Sequence, residues 1–96
     1  MPKFKVSNKA GYDLIEIGQY TQNKFGVSQR NRYLDLINAK FLQLCNEPDI
    51  GLPCYKIRRK YYRCTIQKHT TFYKKYSYGI RIIRILHQRM DWEKNL

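Results

Sequence analysis

The sequence predicts an α+β fold, in which an N-terminal strand and an antiparallel helix hairpin pack on a twisted antiparallel β-sheet. Three observations support this class: a short alternating segment at the N-terminus, two apolar stripes of helical spacing, and a second half rich in β-branched and aromatic residues. A chain of 96 residues has room for one core of a few elements. We therefore expect a single domain over residues 1–96.

A strand and a helix are predicted first. Residues 3–7 alternate apolar and polar side chains, which is typical of a short strand, and Ser7 or Asn8 can then cap a helix. An apolar stripe of helical spacing follows, and Asp13 lies outside it. The stripe ends before Gly26, a residue suited to a helix C-terminus. The stripe consists of Ala10, Leu14, Ile17, Gly18, Thr21 and Phe25.

A second helix is predicted to begin near Ser28, a plausible N-cap, and to end before Pro48. Its apolar stripe consists of Tyr33, Leu34, Ile37, Phe41, Leu44 and Cys45. Because only about two residues separate the helices, they should be antiparallel neighbours.

Strand patterns dominate the second half. Residues 55–67 and 70–76 are rich in aromatic and β-branched side chains, and Ser77-Tyr78-Gly79 predicts a tight turn. Residues 80–86 are apolar on both sides, which favours a central strand. The short connections make these strands antiparallel.

The charge is unevenly distributed. The chain has 19 Lys and Arg against seven Asp and Glu, a formal charge of +12. Residues 1–50 hold seven bases and five acids, whereas residues 51–96 hold twelve bases and two acids. The electrostatic field of this positive charge attracts polyanions, either nucleic acid or an acidic protein segment. Bases alternate with tyrosines in the predicted strands, which suits phosphate binding and base stacking but is also typical of a tyrosine core with solvated lysines.

Several other classes are excluded or disfavoured. Cys45, Cys54 and Cys64 are an odd number at wide spacings, which supports neither a disulfide framework nor a zinc site, so we expect no metal and no cofactor. The sequence has no apolar run of about 18 residues, the length that a membrane span needs. The N-terminus also lacks the apolar stretch of a secretory signal. The expected location is therefore the cytoplasm. One enzymatic chemistry stays open, metal-independent RNA cleavage with His69 and His87 as proton carriers, although a lone histidine is more often structural.

The chain resembles ParE toxins of the RelE/ParE superfamily, which belong to type II toxin–antitoxin systems. Residues 69–73 followed by residues 79–91 are similar to the C-terminal signature of these toxins. Residues 14–20 with Phe25-Gly26 are similar to their first helix, and residues 57–63 match more loosely. The resemblance implies a helix hairpin over an antiparallel sheet.

The resemblance also implies a function. ParE members inhibit DNA gyrase and block replication, whereas RelE members cleave messenger RNA in the ribosomal A site. We expect a gyrase inhibitor that is not an enzyme, reaches nucleic acid indirectly through gyrase, and is neutralised in a hetero-oligomer by an acidic ParD-like antitoxin. The alternative is a RelE-like, ribosome-dependent endoribonuclease. The Met90-Asp91-Trp92 tail favours ParE, because the C-terminal tyrosine common in the nucleases is missing after Tyr78.

Three sets of residues are candidates for function. The set predicted to act on gyrase lies at the end of the central strand and in the polar tail: Arg84, His87, Arg89 and Asp91. An alternative for two of them is an ion pair between Arg84 and Asp91 that pins the tail. The predicted basic surface consists of Arg58, Arg59, Lys60 and Arg63. The nuclease alternative would use His69, Arg81 and His87.

Overall fold

The computed structural model describes residues 3–54, 56 and 58–96. Tyr55 and Ile57, which fall in the strand predicted over residues 55–67, lie outside the described residues. The elements are β1 (Lys3–Val6), α1 (Asn8–Phe25), α2 (Val27–Asn46), β2 (Leu52–Pro53), β3 (Tyr62–Ile66), β4 (His69–Tyr76), β5 (Gly79–His87) and α3 (Trp92–Asn95). This order confirms the predicted α+β class.

The five strands form one sheet in the order β1-β5-β4-β3-β2. Strands β2 to β5 are antiparallel neighbours, but β1 lies parallel to β5, with Phe4 opposite Ile80. The antiparallel pairing predicted for the later strands is confirmed, and the N-terminal strand, for which no neighbour was predicted, adds a parallel edge to the sheet. No short turn joins β1 to β5, and the long connection between them permits parallel pairing. The interior position predicted for residues 80–86 is confirmed, since β5 lies between β1 and β4.

The two long helices form the predicted hairpin. Ser7 caps α1: its Oγ accepts the Ala10 N–H at 3.0 Å and donates to the Ile83 carbonyl at 2.7 Å. A single residue, Gly26 at φ 93°, separates α1 from α2, and glycine adopts this φ without steric cost. Because the turn is so short, Ser28 lies inside the first turn of α2 and is not its N-cap. No helix within the described residues is long and apolar enough to cross a membrane.

The main core lies between the helix hairpin and one face of the sheet. Most of the two predicted stripes is buried there, together with Ile80, Ile82 and Ile85 of β5. Each aliphatic side chain buried in this way contributes about 1.5–3 kcal/mol. Phe25 is the exception among the stripe residues, since this last residue of α1 is 61% exposed.

A smaller cluster occupies the opposite face of the sheet, which we call the outer face. Phe72 and Leu86 are buried there beneath Trp92 and Leu96. The rings of Phe72 and Trp92 meet edge to face, with centroids 5.2 Å apart. The predicted polar tail therefore folds back as α3 and covers part of the outer face.

Candidate functional site

Two candidate histidines meet at one end of the sheet. His69 of β4 lies directly opposite His87 of β5, and their ring centroids are 5.2 Å apart in an edge-to-face arrangement. Both rings line a cleft of about 320 Å³, which we call the two-histidine cleft. Its wall also includes side chains from the end of α1, from α2, and from the turn between β3 and β4: Tyr20, Lys24, Tyr33 and Lys68.

His69 and Tyr33 form a neutral polar contact in this cleft. The His69 Nδ1 and the Tyr33 Oη are 2.6 Å apart, and the same hydroxyl lies 3.2 Å from the Ile66 carbonyl oxygen. Burial lowers the pKa of His69 to about 4, and repulsion from the neighbouring His87 acts in the same direction. Burial also raises the pKa of the Tyr33 hydroxyl. At neutral pH both groups are therefore uncharged.

The rim of the two-histidine cleft is cationic. Lys24, Lys68 and Arg89 line it, and the described residues of the wall include no carboxylate. Lys24 donates to the Tyr20 hydroxyl at 3.1 Å, and this hydrogen bond lowers the pKa of Tyr20. Chemically, such a lining suits an anionic group on a partner.

The orientation of His87 is fixed by its own turn. The Arg89 backbone N–H donates to the His87 Nδ1 at 3.1 Å.

As for metal binding, residues 3–54, 56 and 58–96 contain no group of three or more His, Cys, Asp or Glu side chains able to hold an ion.

Arg84, another candidate, is engaged inside the protein. Its Nε and Nη2 donate to the two carboxylate oxygens of Asp13 at 2.8 and 2.9 Å. The side chains of Arg84 and Asp13 are only 15% and 11% exposed. The carboxylate also accepts the Ile85 N–H at 3.0 Å, at an edge of β5 that lies beyond the last residue of β1. The bond to Asp13 raises the pKa of Arg84 and leaves its guanidinium unavailable to a partner.

The alternative ion pair between Arg84 and Asp91 is wrong, because Arg84 pairs with Asp13. Asp91 instead caps α3, where its Oδ1 accepts the N–H groups of Glu93 at 3.0 Å and Lys94 at 3.4 Å. Arg84 still restrains the tail, since its Nη1 donates to the Asn95 carbonyl at 2.9 Å. One guanidinium thus joins β5, α1 and α3.

Two residues of the predicted basic surface also contact the tail. Arg58 donates from Nη2 to the Leu96 carbonyl at 2.8 Å. The Arg63 guanidinium lies over the Trp92 ring, 5.3 Å from its centroid. The other two members are exposed in the turn before β3: Arg59 and Lys60.

The nuclease candidates are not brought together. His69 and His87 share the two-histidine cleft, but Arg81 lies six residues before His87 on β5. At the rise of an extended strand this separation is about 20 Å. One phosphate cannot contact all three side chains.

Comparison with known proteins identifies the family. A sequence profile described as the ParE toxin of the type II toxin–antitoxin system parDE matches residues 4–92. The chain belongs to the ParE toxin family. It is similar to Toxin ParE1 of Caulobacter vibrioides, with 31% identity over 96 residues that span 100% of the chain and 99% of the relative. It is also similar to Toxin ParE1 of Mycobacterium tuberculosis, with 35% identity over 95 residues, 98% of the chain and 97% of the relative.

A solved structure shares the fold. It is described as the chromosomal ParDE TA system from P. aeruginosa, and it matches with a TM-score of 0.78 at 18% identity. The match covers 91% of this chain and 96% of the chain in that structure. The resemblance stated from residues 69–73 and 79–91 is therefore confirmed: the protein is a ParE-type toxin of a type II toxin–antitoxin system.

The sequence contains a signal for Asp13, the partner of Arg84 in this ParE toxin, which is not among the predicted site residues. Asp13 was placed outside the apolar stripe, yet it lies three residues after Ala10 and four before Ile17. This spacing puts all three on one helix face. Lys24 and Lys68 give no comparable indication, because only the folded chain brings a helix end and a strand turn to the same cleft.

Proposed function

We propose that this ParE-type toxin inhibits DNA gyrase by binding it, without making or breaking covalent bonds, and so blocks replication. The observation that supports binding over RNA cleavage is the separation of Arg81 from His69 and His87. A nuclease without metal needs its proton carriers and its phosphate-stabilising cations around one scissile phosphate. Arg84 is occupied by Asp13. Lys24, Lys68 and Arg89 do line the cleft, but His69 contacts Tyr33 and burial lowers its pKa to about 4, far from the value that a general acid or base needs near neutral pH.

The gyrase-binding surface in this proposal is the two-histidine cleft, with His87 and Arg89 at its rim. His87 belongs to β5 and is paired with His69 of β4, and Arg89 follows in the next turn, where its backbone N–H donates to the His87 ring. Side chains on such a rigid element are presented in a fixed geometry. A protein that binds one state of an enzyme more tightly shifts the population toward that state. A toxin that prefers gyrase with cleaved DNA would therefore cause that intermediate to accumulate.

A supercoiling assay with purified gyrase tests this function. We expect inhibition together with accumulation of cleaved DNA. Arg89→Ala should weaken the inhibition, whereas Arg32→Ala, at an exposed position on α2, should leave it unchanged. If the toxin instead cleaves messenger RNA on purified ribosomes while gyrase turns over normally, the RelE-like alternative replaces this proposal. If Arg89→Ala inhibits as well as wild type, gyrase contacts a different surface.

We also propose that an acidic, ParD-like antitoxin neutralises this toxin by filling a groove on the helix side. The groove, about 520 Å³ in volume, has an apolar wall that includes Phe4, Val6, Leu14, Ile15, Leu34 and Phe41. Strand β1, which supplies two of these residues, is an edge strand of the sheet. Such an edge can accept an added strand, and an apolar groove can accept one face of an amphipathic helix. Acidic side chains on the antitoxin would match the +12 charge.

The antitoxin proposal is tested by measuring the affinity of the toxin for an acidic ParD-like antitoxin. Ile15→Asp, at an exposed residue of the groove, should weaken the complex, because it puts a charge against an apolar surface and an acidic partner. Leu36→Asp is the matched control, since Leu36 is exposed on α2 and does not line the groove. The association rate should fall steeply with salt. Equal effects of the two variants would refute the groove, and a salt-independent rate would refute charge steering.

A further inference from the structure

A row of three cations crosses the outer face of the sheet at the end that α3 does not cover. Lys5 of β1 lies opposite Arg81 of β5, and Arg81 lies opposite Lys74 of β4. The residues that flank Arg81, Ile80 and Ile82, are buried in the main core, so Arg81 points to the outer face. Neighbouring strands are about 4.8 Å apart, and the row is therefore about 10 Å long. We call these three residues the cation row.

The cation row works against folding. Like charges directly opposite each other on neighbouring strands destabilise a sheet. In the described part of the chain the ion pairs are Asp13–Arg84 and Asp49–Lys75, and neither includes a residue of the row. Three adjacent cations without a carboxylate are a feature that the fold itself does not require.

Tyrosines surround the cation row. Tyr76 and Tyr78 are stacked with centroids 5.4 Å apart and ring planes at 7°. The Lys5 ammonium lies 4.5 Å from the Tyr78 centroid, and the Lys74 ammonium lies 5.8 Å from that of Tyr76. These cation–π contacts hold the ammonium groups above the sheet. Tyr76 is 43% exposed, so part of its ring remains accessible.

We propose that the cation row and its tyrosines bind single-stranded nucleic acid directly. The three cations would contact backbone phosphates, and the exposed ring of Tyr76 and the half-buried ring of Tyr78 would contact bases. Exposed aromatic rings on a sheet are a common platform for unpaired bases, and cations beside them hold the backbone. This surface goes beyond the proposed gyrase inhibition and is independent of it, since it needs neither gyrase nor antitoxin.

The composition of the surface favours nucleic acid over an acidic protein. Protein interfaces have an apolar centre from which lysine is depleted, whereas interfaces with nucleic acid are more polar and much more positively charged. The cation row contains no aliphatic side chain, and the rings of Tyr76 and Tyr78 contact its two lysines. The apolar groove proposed for the antitoxin lies on the helix side of the sheet, away from this surface.

Fluorescence anisotropy with a labelled single-stranded DNA of about 12 nucleotides tests the proposal. We expect the wild-type toxin to bind it. The triple variant Lys5→Gln, Lys74→Gln, Arg81→Gln should bind roughly a hundredfold more weakly at about 0.1 M salt. The slope of log affinity against log salt should fall by about two, the effect of three lost phosphate contacts on a single strand. If the slope does not change, the row does not contact phosphates and the proposal fails.

A matched variant controls for net charge. Lys9→Gln, Arg32→Gln, Lys40→Gln removes the same three charges from the helices, and it should bind within about twofold of wild type, because distant charges are screened. Tyr76→Leu should weaken binding about tenfold if its ring stacks on a base. Should the triple variant not fold, Arg81→Gln alone should lose about fivefold. Equal losses in the two triple variants, or tighter binding of polyglutamate than of the DNA, would overturn the proposal.

Discussion

Arg81 and Arg84 lie three residues apart on β5, yet their surroundings are opposite. Arg84 lies next to the half of the outer face that α3 covers, over Phe72 and Leu86, and we call this the closed half. Its guanidinium is held by a carboxylate and by a backbone carbonyl of the tail. Arg81 lies in the open half, exposed between two further cations.

The difference follows from where β1 ends. Up to Ile82, β5 pairs with β1, so backbone groups satisfy that edge of the strand. Beyond this point the chain has turned into α1, and the Asp13 carboxylate accepts the Ile85 N–H. A buried carboxylate needs a cation beside it, and Arg84 supplies that charge. The charge of Arg84 is thus one that folding requires, whereas the charge of Arg81 is left for a partner.

Replacing Arg84 should have the largest effect on stability. Arg84→Gln leaves the Asp13 carboxylate buried without its cation, and it should lower the free energy of unfolding by about 3 kcal/mol. Arg81→Gln is the matched control, because the same change on the same strand in the open half should stay within about 0.5 kcal/mol of wild type. Urea denaturation followed by circular dichroism measures both. Equal losses in the two variants would show that the two halves do not differ energetically.

The next largest effect should come from the aromatic cover of the closed half. Trp92→Ala removes the edge-to-face contact with Phe72 and the ring beneath Arg63. We expect a loss of about 2 kcal/mol, less than for a fully buried Trp, because Trp92 is half-buried. Tyr76→Ala in the open half should cost less than about 1 kcal/mol.

Hydrogen exchange locates the effect of Trp92→Ala. Amides of β4 and β5 beneath α3 should exchange faster, because the tail no longer covers Phe72 and Leu86. Amides of β1, in the open half, should change little. Unchanged exchange beneath α3 would mean that the tail does not protect the closed half.

The sequence predicts the two halves unequally. Helical spacing placed most core residues of α1 and α2 correctly, because this periodicity follows directly from backbone geometry. Alternation located β1, and β-branched and aromatic content located β4 and β5, but the strand predicted over residues 55–67 begins only at Tyr62, after a turn at residues 58–60. Alternation assigns faces but not direction, so the parallel pairing of β1 was missed. Helix α3 has four residues, too few for a periodic pattern. The partner of Arg84 is Asp13, 71 residues away, and only the assembled fold brings the two together.

The two-histidine cleft shows a further limit. Counting back from the tight turn, where Tyr76 is opposite Gly79, places His69 opposite Leu86, on a different face from His87. An irregularity between Phe72 and Tyr73 shifts the register by one residue and brings His87 opposite His69. A bulge of this kind leaves no pattern in a single sequence. The family resemblance supplied the fold and the toxin identity, but it did not supply this register.

Acid should destabilise the toxin through the two-histidine cleft. In the unfolded chain His69 binds a proton near its ordinary pKa of 6.5, whereas in the folded protein burial lowers this pKa to about 4. Between these values the unfolded state binds more protons, so the free energy of unfolding should fall as the pH is lowered from about 6.5 to about 4. His69→Asn has no titrating ring and should reduce this dependence. Urea denaturation at several pH values measures it, and an unchanged pH profile in His69→Asn would contradict the assignment.

The smallest effect should be a gain in stability at the cation row. Arg81 has a like charge on each side, so Arg81→Gln should raise the free energy of unfolding by about 0.3 kcal/mol at low ionic strength. The gain should shrink as salt screens the repulsion. Arg59→Gln, at an exposed turn residue outside the sheet, is the control and should show no such gain. A gain that persists at high salt would not be electrostatic. If Arg81→Gln raises the free energy of unfolding and also weakens binding of single-stranded DNA, the Arg81 charge contributes to ligand binding and destabilises the fold.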